Sequence, residues 1–350
     1  MAIFRVLTEK LAGLTGLMRP QQRWLIVINA DPDAIGSAMA LRQIIRSRGA
    51  QADIAHVNEI SRPDNLTMIH SLRIPLARLT PGMTGLYQHF AMVDSQPHHC
   101  TEFPPLDYDV ILDHHPLDPR HPVQAKYVEI HPEYGSCSAL LTEYLYNLGI
   151  VPGKLLATAL LYAIKTDTMT FERHFCDTDV KAFSYLSKYA DKMLLRRIVH
   201  SDFHRRWLKF FSRAFARARY IGREGFLAYV GKVENPDVLV VLADFFLRVH
   251  GLSWDCIAGQ YGDKLVAVMR SDGLRRDMGK KAHAWFGDYG SAGGHMMAGR
   301  AEMDIARLDG RDPEQFLLAR LTGRANPSGA GHRAAKEHPV QAQSEGRQAP

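Results

Sequence analysis

The chain has 350 residues, 46% of them hydrophobic and 23% charged, with a formal net charge of +6, values ordinary for a soluble globular protein of two domains. No apolar run approaches the roughly 18 residues needed to span a bilayer, and four scattered cysteines (Cys100, Cys137, Cys176 and Cys256) without C-x-x-C spacing exclude a disulfide or zinc framework. The mildly basic balance suits an anionic substrate such as a phosphate ester or short nucleic acid, and suits a generic basic surface equally well.

The first 19 residues lack the continuous apolar region of a signal peptide. With the reduced cysteines, this gives a cytoplasmic expectation. The segment is amphipathic, since Val6, Leu7, Leu11, Leu14 and Leu17 share one helical face. It reads as a helix packed on its own domain or on a dimer partner, with a membrane-surface anchor as the alternative.

The run 24–28 (Trp-Leu-Ile-Val-Ile) predicts a buried strand of the parallel kind. It runs straight into Asn29-Ala30-Asp31-Pro32-Asp33-Ala34-Ile35-Gly36-Ser37, after which Ala38, Leu41, Ile44 and Ile45 predict a helix ending at Gly49. In extended geometry Asp31 and Asp33 point the same way and face one cation or two neighbouring ones. The helix N-terminus beyond Gly36-Ser37 offers N–H groups to an anion. A proline turn with an aspartate cap reads the same residues equally well.

Residues 52–57 predict a second strand, and 60–65 open a helix in which Arg62 reaches a phosphate or merely sits in a capping turn. The run 90–93 predicts a third strand, ending in Asp94-Ser95, and 110–112 a fourth, ending in Asp113-His114-His115. Several strands thus end in residue types that ligate divalent metal, at the sheet edge where open α/β folds bind ligands. Carboxylates clustered there are costly without a cation. His98 and His99 are a surplus pair, either loop residues or further members of the site. Ser136 caps a helix, 153–164 predicts a buried helix followed by Asp167, and 174–179 starts another.

From 191 to about 219 the pattern is helical and basic, a connector between domains. A second domain starts near Ile221. Strands are expected at 226–230, 254–259 and 264–269, the last two joined by a Gly-Asp hairpin turn, with a helix at 237–250 and another at 278–286. The Gly-rich stretch 287–300 reads as a loop whose backbone amides approach an anion. Beyond about residue 322 the composition predicts disorder. The expected architecture is α/β: an N-terminal parallel-sheet domain with helices on both faces (22–190) after an amphipathic helix (1–21), a connector helix (191–220), a smaller α/β domain (221–322) and a tail (323–350).

Taken together, these motifs resemble the DHH phosphoesterase superfamily with its C-terminal DHHA1 domain, over residues 22–318. Within it they resemble the group of nanoRNases and 3′-phosphoadenosine phosphatases, related to RecJ-like exonucleases and cyclic-dinucleotide phosphodiesterases. Asp31-Pro32-Asp33, Val93-Asp94-Ser95, Asp113-His114-His115 and Thr166-Asp167-Thr168 resemble its four motifs in order, and Gly293-Gly294-His295 with Ala298-Gly299 resembles the DHHA1 signature. The resemblance implies two manganese ions bridged by Asp94. One is held by Asp33, Asp94, His114 and Asp167. The other is held by Asp31, Asp94 and a histidine four residues before Asp31, where this chain has Val27. That site is expected to be weakened, with magnesium as an alternative occupant or another imidazole, such as His98 or His99, as a substitute.

By the same resemblance, Asp94 and His115 are the catalytic residues. His115 contacts the scissile phosphate or protonates the leaving group, while Arg270, Ser271, Gly293, Gly294 and His295 bind the far phosphate or terminal nucleotide, in a cleft between the domains. The implied activity is metal-dependent hydrolysis of short RNA or DNA oligonucleotides or small nucleotide phosphoesters by a metal-activated water. The alternatives are a catalytically weakened nucleotide-binding protein, which the Val27 departure favours, and a pyrophosphatase or polyphosphatase.

Overall fold

The apolar run after Gln22 forms β1 (Arg23–Ile28) in the computed structural model, which describes residues 3–201 and 203–323. The chain divides into two units, residues 1–211 and 212–350. In the first, β1 is joined by β2 (Gln51–His56), β3 (Leu76–Arg78), β4 (His89–Val93), β5 (Val110–Asp113) and β6 (Tyr127–Ile130). These form one sheet in the order β3-β2-β1-β4-β5-β6 with every pairing parallel. The order reverses direction between β1 and β4, so the carboxyl ends of those two strands flank the crevice typical of a topological switch point. The Asp-bearing segments after β1 and β4 therefore meet because of the topology.

Both faces of β1 are buried, which is why its sequence is apolar without alternation. Trp24, Ile26 and Ile28 face a core shared with α1 (Thr8–Gly16), α2 (Pro32–Ser47), α3 (Pro63–Ser71), α4 (Cys137–Asn147), α5 (Lys154–Asp167) and α6 (Asp177–Leu186). Leu25 and Val27 face a second apolar layer with Ala55, Val57, Met92 and Ile111, covered by residues of the segments 79–90 and 100–125. β3 and β6 escape the sequence reading because they are short and lie at the sheet edges, where Arg78 and Glu129 interrupt the apolar pattern.

The N-terminal helix packs on its own domain. Leu7, Leu11 and Leu14 are buried, joined by Phe4 and Met18, whereas Val6 points to solvent at 76% exposure. Its apolar stripe is thus consumed within the chain, which removes the sequence-based reason for assigning it to a dimer partner or a membrane surface. The basic connector, expected as one helix, is instead α7 (Lys192–Val199), a 3₁₀ turn (Arg205–Trp207) and α8 (Leu208–Ala216), the last straddling the boundary between units. Ile198 and Trp207 are both buried, yet on one continuous helix they would lie half a turn out of phase, so the chain must break between them.

The second unit is a sheet in the order β11-β12-β10-β9-β8-β7, formed by β7 (Arg219–Ile221), β8 (Gly225–Lys232), β9 (Trp254–Tyr261), β10 (Lys264–Ser271), β11 (Gly290–His295) and β12 (Ala298–Asp304). α9 (Asp237–Phe246) makes the crossover between the parallel pair β8 and β9, and the other pairings are antiparallel. α10 (Met278–Phe286) and α11 (Pro313–Thr322) contribute to a core on one face with Leu227, Cys256, Leu265 and Met269. The Gly-rich stretch expected as a loop is in fact the β11–β12 hairpin. Its glycines are there for close approach: a Cβ at Gly294, whose φ is +141°, would lie 2.1 Å from the Ala298 carbonyl oxygen, and one at Gly299 2.6 Å from that of Met278 on α10. The expected tail lies outside the described residues, apart from its first position. No helix among the described residues is long and apolar enough to cross a membrane.

Leu14 is the deepest residue of the N-terminal helix, fully buried. Leu14→Ala should lower unfolding free energy by roughly 2–5 kcal/mol, read by urea denaturation. A loss under about 0.5 kcal/mol, the range of surface substitutions, would show that the helix does not dock in solution.

Candidate metal centre

The β1–α2 turn delivers its two aspartates differently, because the helix starts at Pro32, immediately after Asp31. Asp31 is the N-cap of α2: its carboxylate accepts the Ala34 N–H at 2.9 Å and stays exposed. Asp33, already in the first helical turn, is buried and turned inward. The extended i, i+2 geometry expected from the sequence does not form. Gly36 and Ser37 lie inside α2, so the expected anion site is not at their N–H groups. It is the N-terminus of α4 that holds an anion, and the anion is Asp33. Its two carboxylate oxygens accept the N–H groups of Cys137 (2.7 Å) and Ser138 (2.8 Å), a favourable place for negative charge.

Asp94 follows β4 with φ +58°, a left-handed conformation that aspartate tolerates better than most residues. Asp167 is the last residue of α5. Behind it Met169, Thr170 and Phe171 take positive φ in succession (+47°, +60°, +66°). That strained turn is pinned by the Thr170 N–H on the Lys165 carbonyl (2.7 Å) and the Arg173 N–H on Thr168 (3.0 Å).

His114 brings these groups together. Its Nδ1 donates to the Tyr134 carbonyl (3.2 Å), leaving Nε2 to face three carboxylates: Asp167 Oδ2 at 3.1 Å, Asp94 Oδ1 at 3.3 Å and Asp33 Oδ2 at 3.8 Å. Neither Nε2 of His114 nor Oδ1 of Asp94 makes a well-formed hydrogen bond, although both are buried. Burial pushes the Asp33 carboxyl up to about 6, with Asp167 adding to the effect and His114 opposing it. Burial and the charges of Asp33 and Asp31 raise Asp94 well above the carboxylate range. Burial works against a charged His114, but Asp167 and Asp94 override it and push the imidazole up to about 12. A pocket of this kind demands a positive charge, either a proton or a metal ion. The spacing suits a metal ion, because ligands about 2.1 Å from an octahedral cation lie about 3 Å apart. Asp33, His114 and Asp167 form one close set of possible ligand atoms, and Asp94, His114 and His115 another.

Val27 is fully buried in the second apolar layer and offers no ligand. Neither member of the surplus pair makes good the loss in this structure. His99 Nδ1 meets the Gln96 N–H at 3.2 Å, and His98 stacks on His121 with ring centroids 4.8 Å apart. His99 instead groups with Asp113 and His115.

Asp113, the first residue of the Asp-His-His run, has a role the sequence reading missed. It is wholly buried, and its two oxygens accept from His115 Nδ1 and from Gln96 Nε2, both at 2.8 Å. Burial raises its pKa, but these two bonds outweigh it and hold the carboxyl below its usual range. Burial opposes charge on His115, and Asp113 reverses this, so its pKa rises. His115 is thereby oriented through Nδ1 and biased towards its protonated form. Gln96 carried no sequence signal as a member of the site.

In the second unit Arg270, Gly294 and His295 line a cavity of about 220 Å³ with Val240, Val268, Ala298, Gly299 and Arg300. Gly293 is not among these residues. Ser271 is buried instead, its hydroxyl 3.2 Å from the Met296 carbonyl, where it braces a turn.

An open parallel sheet of order 3-2-1-4-5-6, with acids and imidazole gathered at the carboxyl ends of β1, β4 and β5, defines the class: an α/β domain whose switch-point crevice gathers residues that could hold a metal ion. Within that class the assignment is specific, since residues 23–164 match the DHH family, N-terminal domain, so the first unit carries a domain of that family. An uncharacterized protein of Methanocaldococcus jannaschii is 34% identical over 278 residues, covering 79% of this chain and 57% of that protein, so the chain spans little more than half the length of this relative. Among solved structures, an exopolyphosphatase-related protein from Bacteroides fragilis superposes with TM-score 0.71 at 15% identity, over 90% of this chain and 96% of that one. RecJ from Thermus thermophilus in complex with Mn2+ superposes with TM-score 0.51 at 14% identity, over 90% of this chain and 54% of that one. At these identities the likeness is one of fold.

Filling the centre with a metal ion must expel the proton that His114 otherwise keeps up to about pH 12. Affinity for Mn2+ should therefore rise with pH by about tenfold per unit or more between about pH 7 and 9, with at least one proton released per ion, because the raised Asp94 must also be deprotonated to act as a ligand. Calorimetry in two buffers of different ionisation enthalpy measures both quantities. A flat pH profile with no proton release would contradict the placement of the cation at His114.

Proposed function

We propose that this protein is a divalent-cation-dependent phosphoesterase that hydrolyses short oligonucleotides or small nucleotide phosphoesters in the cytoplasm. The general chemistry, metal-dependent phosphohydrolysis, is that of the family whose N-terminal domain residues 23–164 match. The observation that carries the reading is the pair of buried atoms without hydrogen-bond partners, His114 Nε2 and Asp94 Oδ1, facing each other among the carboxylates. In this reading Asp33, Asp94, His114 and Asp167 hold one cation. Asp31 and Asp94 hold a second more weakly, because Val27 supplies no imidazole. Manganese is the favoured ion, with magnesium as the alternative, and the Mn2+ complex of a RecJ protein of like fold supports that choice. When bound, such cations neutralise phosphate charge and lower the pKa of a coordinated water.

The chain's own groups divide the remaining work. Asp33 is fixed by the α4 N-terminus and Asp94 by its backbone turn, so the ligand cage is rigid before anything binds. His115, held by Asp113 and raised in pKa, has a proton to give to a leaving oxygen. In the second unit Arg270, Gly294 and His295 line a cavity whose arginine suits an anionic group. One observation favours a second reading, that of a nucleotide-binding protein with weak catalysis: the absence of an imidazole at Val27.

The first test is hydrolysis of a short 5′-labelled RNA and of 3′-phosphoadenosine 5′-phosphate by purified full-length protein in Mn2+. Asp94→Ala should lose at least about a thousandfold in kcat, the scale set by removal of groups that act directly on the reacting centre. Equal residual rates in wild type and variant would overturn the enzyme reading. Asp113→Asn should lower kcat by about tenfold to a hundredfold with little change in KM, the scale typical of groups that orient active-site residues. It should also move the alkaline limb of the pH–rate profile to lower pH, because His115 loses the carboxylate that favours its proton. An unchanged limb would show that His115 is not the acid.

A further inference from the structure

Of the residues that face the centre, Asp33, His114 and Asp167 all lean on one short segment, residues 134–138. The Tyr134 carbonyl accepts from His114 Nδ1 at 3.2 Å, and the Cys137 and Ser138 N–H groups hold the Asp33 carboxylate at 2.7 and 2.8 Å. Gly135 lies against the turn that follows Asp167. A Cβ there would meet the His174 carbonyl oxygen at 2.7 Å, Thr168 Cγ2 at 2.8 Å and Phe175 Cα at 3.0 Å. No side chain fits in that space, so the segment and the turn are in direct contact.

The segment joins no strand, and α4 begins only at Cys137, so its first residues need another anchor. Asp179, the third residue of α6, supplies it. Its carboxylate is fully buried. Oδ2 accepts the Cys176 N–H at 2.9 Å, the ordinary contact of a capping box at the start of one helix. The same oxygen accepts the Gly135 N–H at 2.8 Å, and Oδ1 accepts the Ser136 hydroxyl at 3.0 Å, from 44 and 43 residues back along the chain. A local cap has no use for those two bonds. Ser136 passes the hold on, since its Oγ accepts the Ala139 N–H at 3.2 Å and so caps α4. Beside it, His174 Nε2 donates to the Glu133 carbonyl at 3.0 Å.

We propose that Asp179 is a positioning residue for the metal centre: by anchoring residues 134–138 it fixes the mutual spacing of Asp33, His114 and Asp167, and so sets the affinity for the ion without touching it. The inference rests on the reading of the centre as a metal site. The three ligands come from separate elements, the first turn of α2, the end of β5 and the last turn of α5, so no local geometry sets their separation. An ion of this kind needs its donor atoms at about 2.1 Å together. A loosely held set must be ordered as the ion binds, at a cost in affinity. The bracket removes that cost beforehand.

The experiment compares Mn2+ affinity with folding stability in the full-length protein, by calorimetry at pH 8 and by urea denaturation. Asp179→Asn keeps the shape and turns one acceptor into a donor. It should weaken Mn2+ binding about tenfold to a hundredfold, the scale of groups that orient metal ligands. Leu14→Ala, a core substitution on the N-terminal helix, gives the effect of lost stability alone and should leave Mn2+ affinity unchanged. The EPR spectrum of bound Mn2+, which reports ligand geometry, should change in Asp179→Asn and match wild type in Leu14→Ala. Ser136→Ala removes the hydroxyl that links Asp179 to α4 and should weaken binding about fivefold, the scale of one hydrogen bond. It decides the matter if Asp179→Asn does not fold. A folded variant at Asp179, or failing that at Ser136, with wild-type affinity and spectrum would show that Asp179 merely caps α6. An equal loss of affinity in Leu14→Ala would show general loosening and would also overturn the inference. No Mn2+ binding by the wild type would overturn the metal reading itself, and the inference with it.

Discussion

Three carboxylates converge on one imidazole nitrogen in this protein, and that arrangement is stable only with positive charge at its centre. His114 Nε2 lies 3.1–3.8 Å from Asp167, Asp94 and Asp33, and two of the three acids are more than nine-tenths buried. An unpaired charge so placed costs several kcal/mol, which only a cation or proton offsets. The fold supplies the geometry from the outside. The α4 N-terminus fixes Asp33, the left-handed turn after β4 fixes Asp94, a run of three positive-φ residues follows Asp167, and the Tyr134 carbonyl orients His114. Tyr134 is itself tied down by hydrogen bonds from its hydroxyl to Glu143 and from Arg5 to that hydroxyl, both at 2.8 Å. The N-terminal arm is therefore part of the support of the centre.

Much of the first domain was legible in the sequence because parallel strands buried on both faces leave uninterrupted apolar runs. The segments preceding Asp31, Asp94 and Asp113 read correctly as strands for that reason. Edge strands such as Leu76–Arg78 and Tyr127–Ile130 were not legible, since half-exposed pairing tolerates charge. At the centre, residue types and order were visible while the local conformations were not. Asp-Pro-Asp reads equally as an extended pair of ligands or as a helix start, and only the tertiary packing of α2 on α4 and α5 decides for the helix. Gly36 shows why, because a Cβ there would lie 3.0 Å from Ser138 Oγ and 3.1 Å from Ala163 Cβ. Asp113 looked like part of a ligand motif but braces His115, a distinction that depends on which way a side chain leaves the end of β5.

The second domain teaches a related lesson about glycine. Gly-rich composition from 287 to 300 suggested a loop, and the structure makes it a hairpin in which a side chain is excluded at Gly294 by the partner strand and at Gly299 by α10. The charged groups nearby are paired: Arg270 with Asp244, and Arg300 with Glu302. No pattern in the sequence links Asp244 to Arg270, since the contact is created by the crossover helix lying over β9 and β10.

The account turns on a cation seated at His114, and the most direct measurement is the anomalous scattering of manganese in a crystal of the full-length protein grown with Mn2+. A strong peak within about 2.0–2.3 Å of Asp33, Asp94, His114 and Asp167 is expected, with a weaker one beside Asp31. No peak at His114 in millimolar Mn2+ would mean that a proton alone fills the centre, and the metal-dependent account would be wrong.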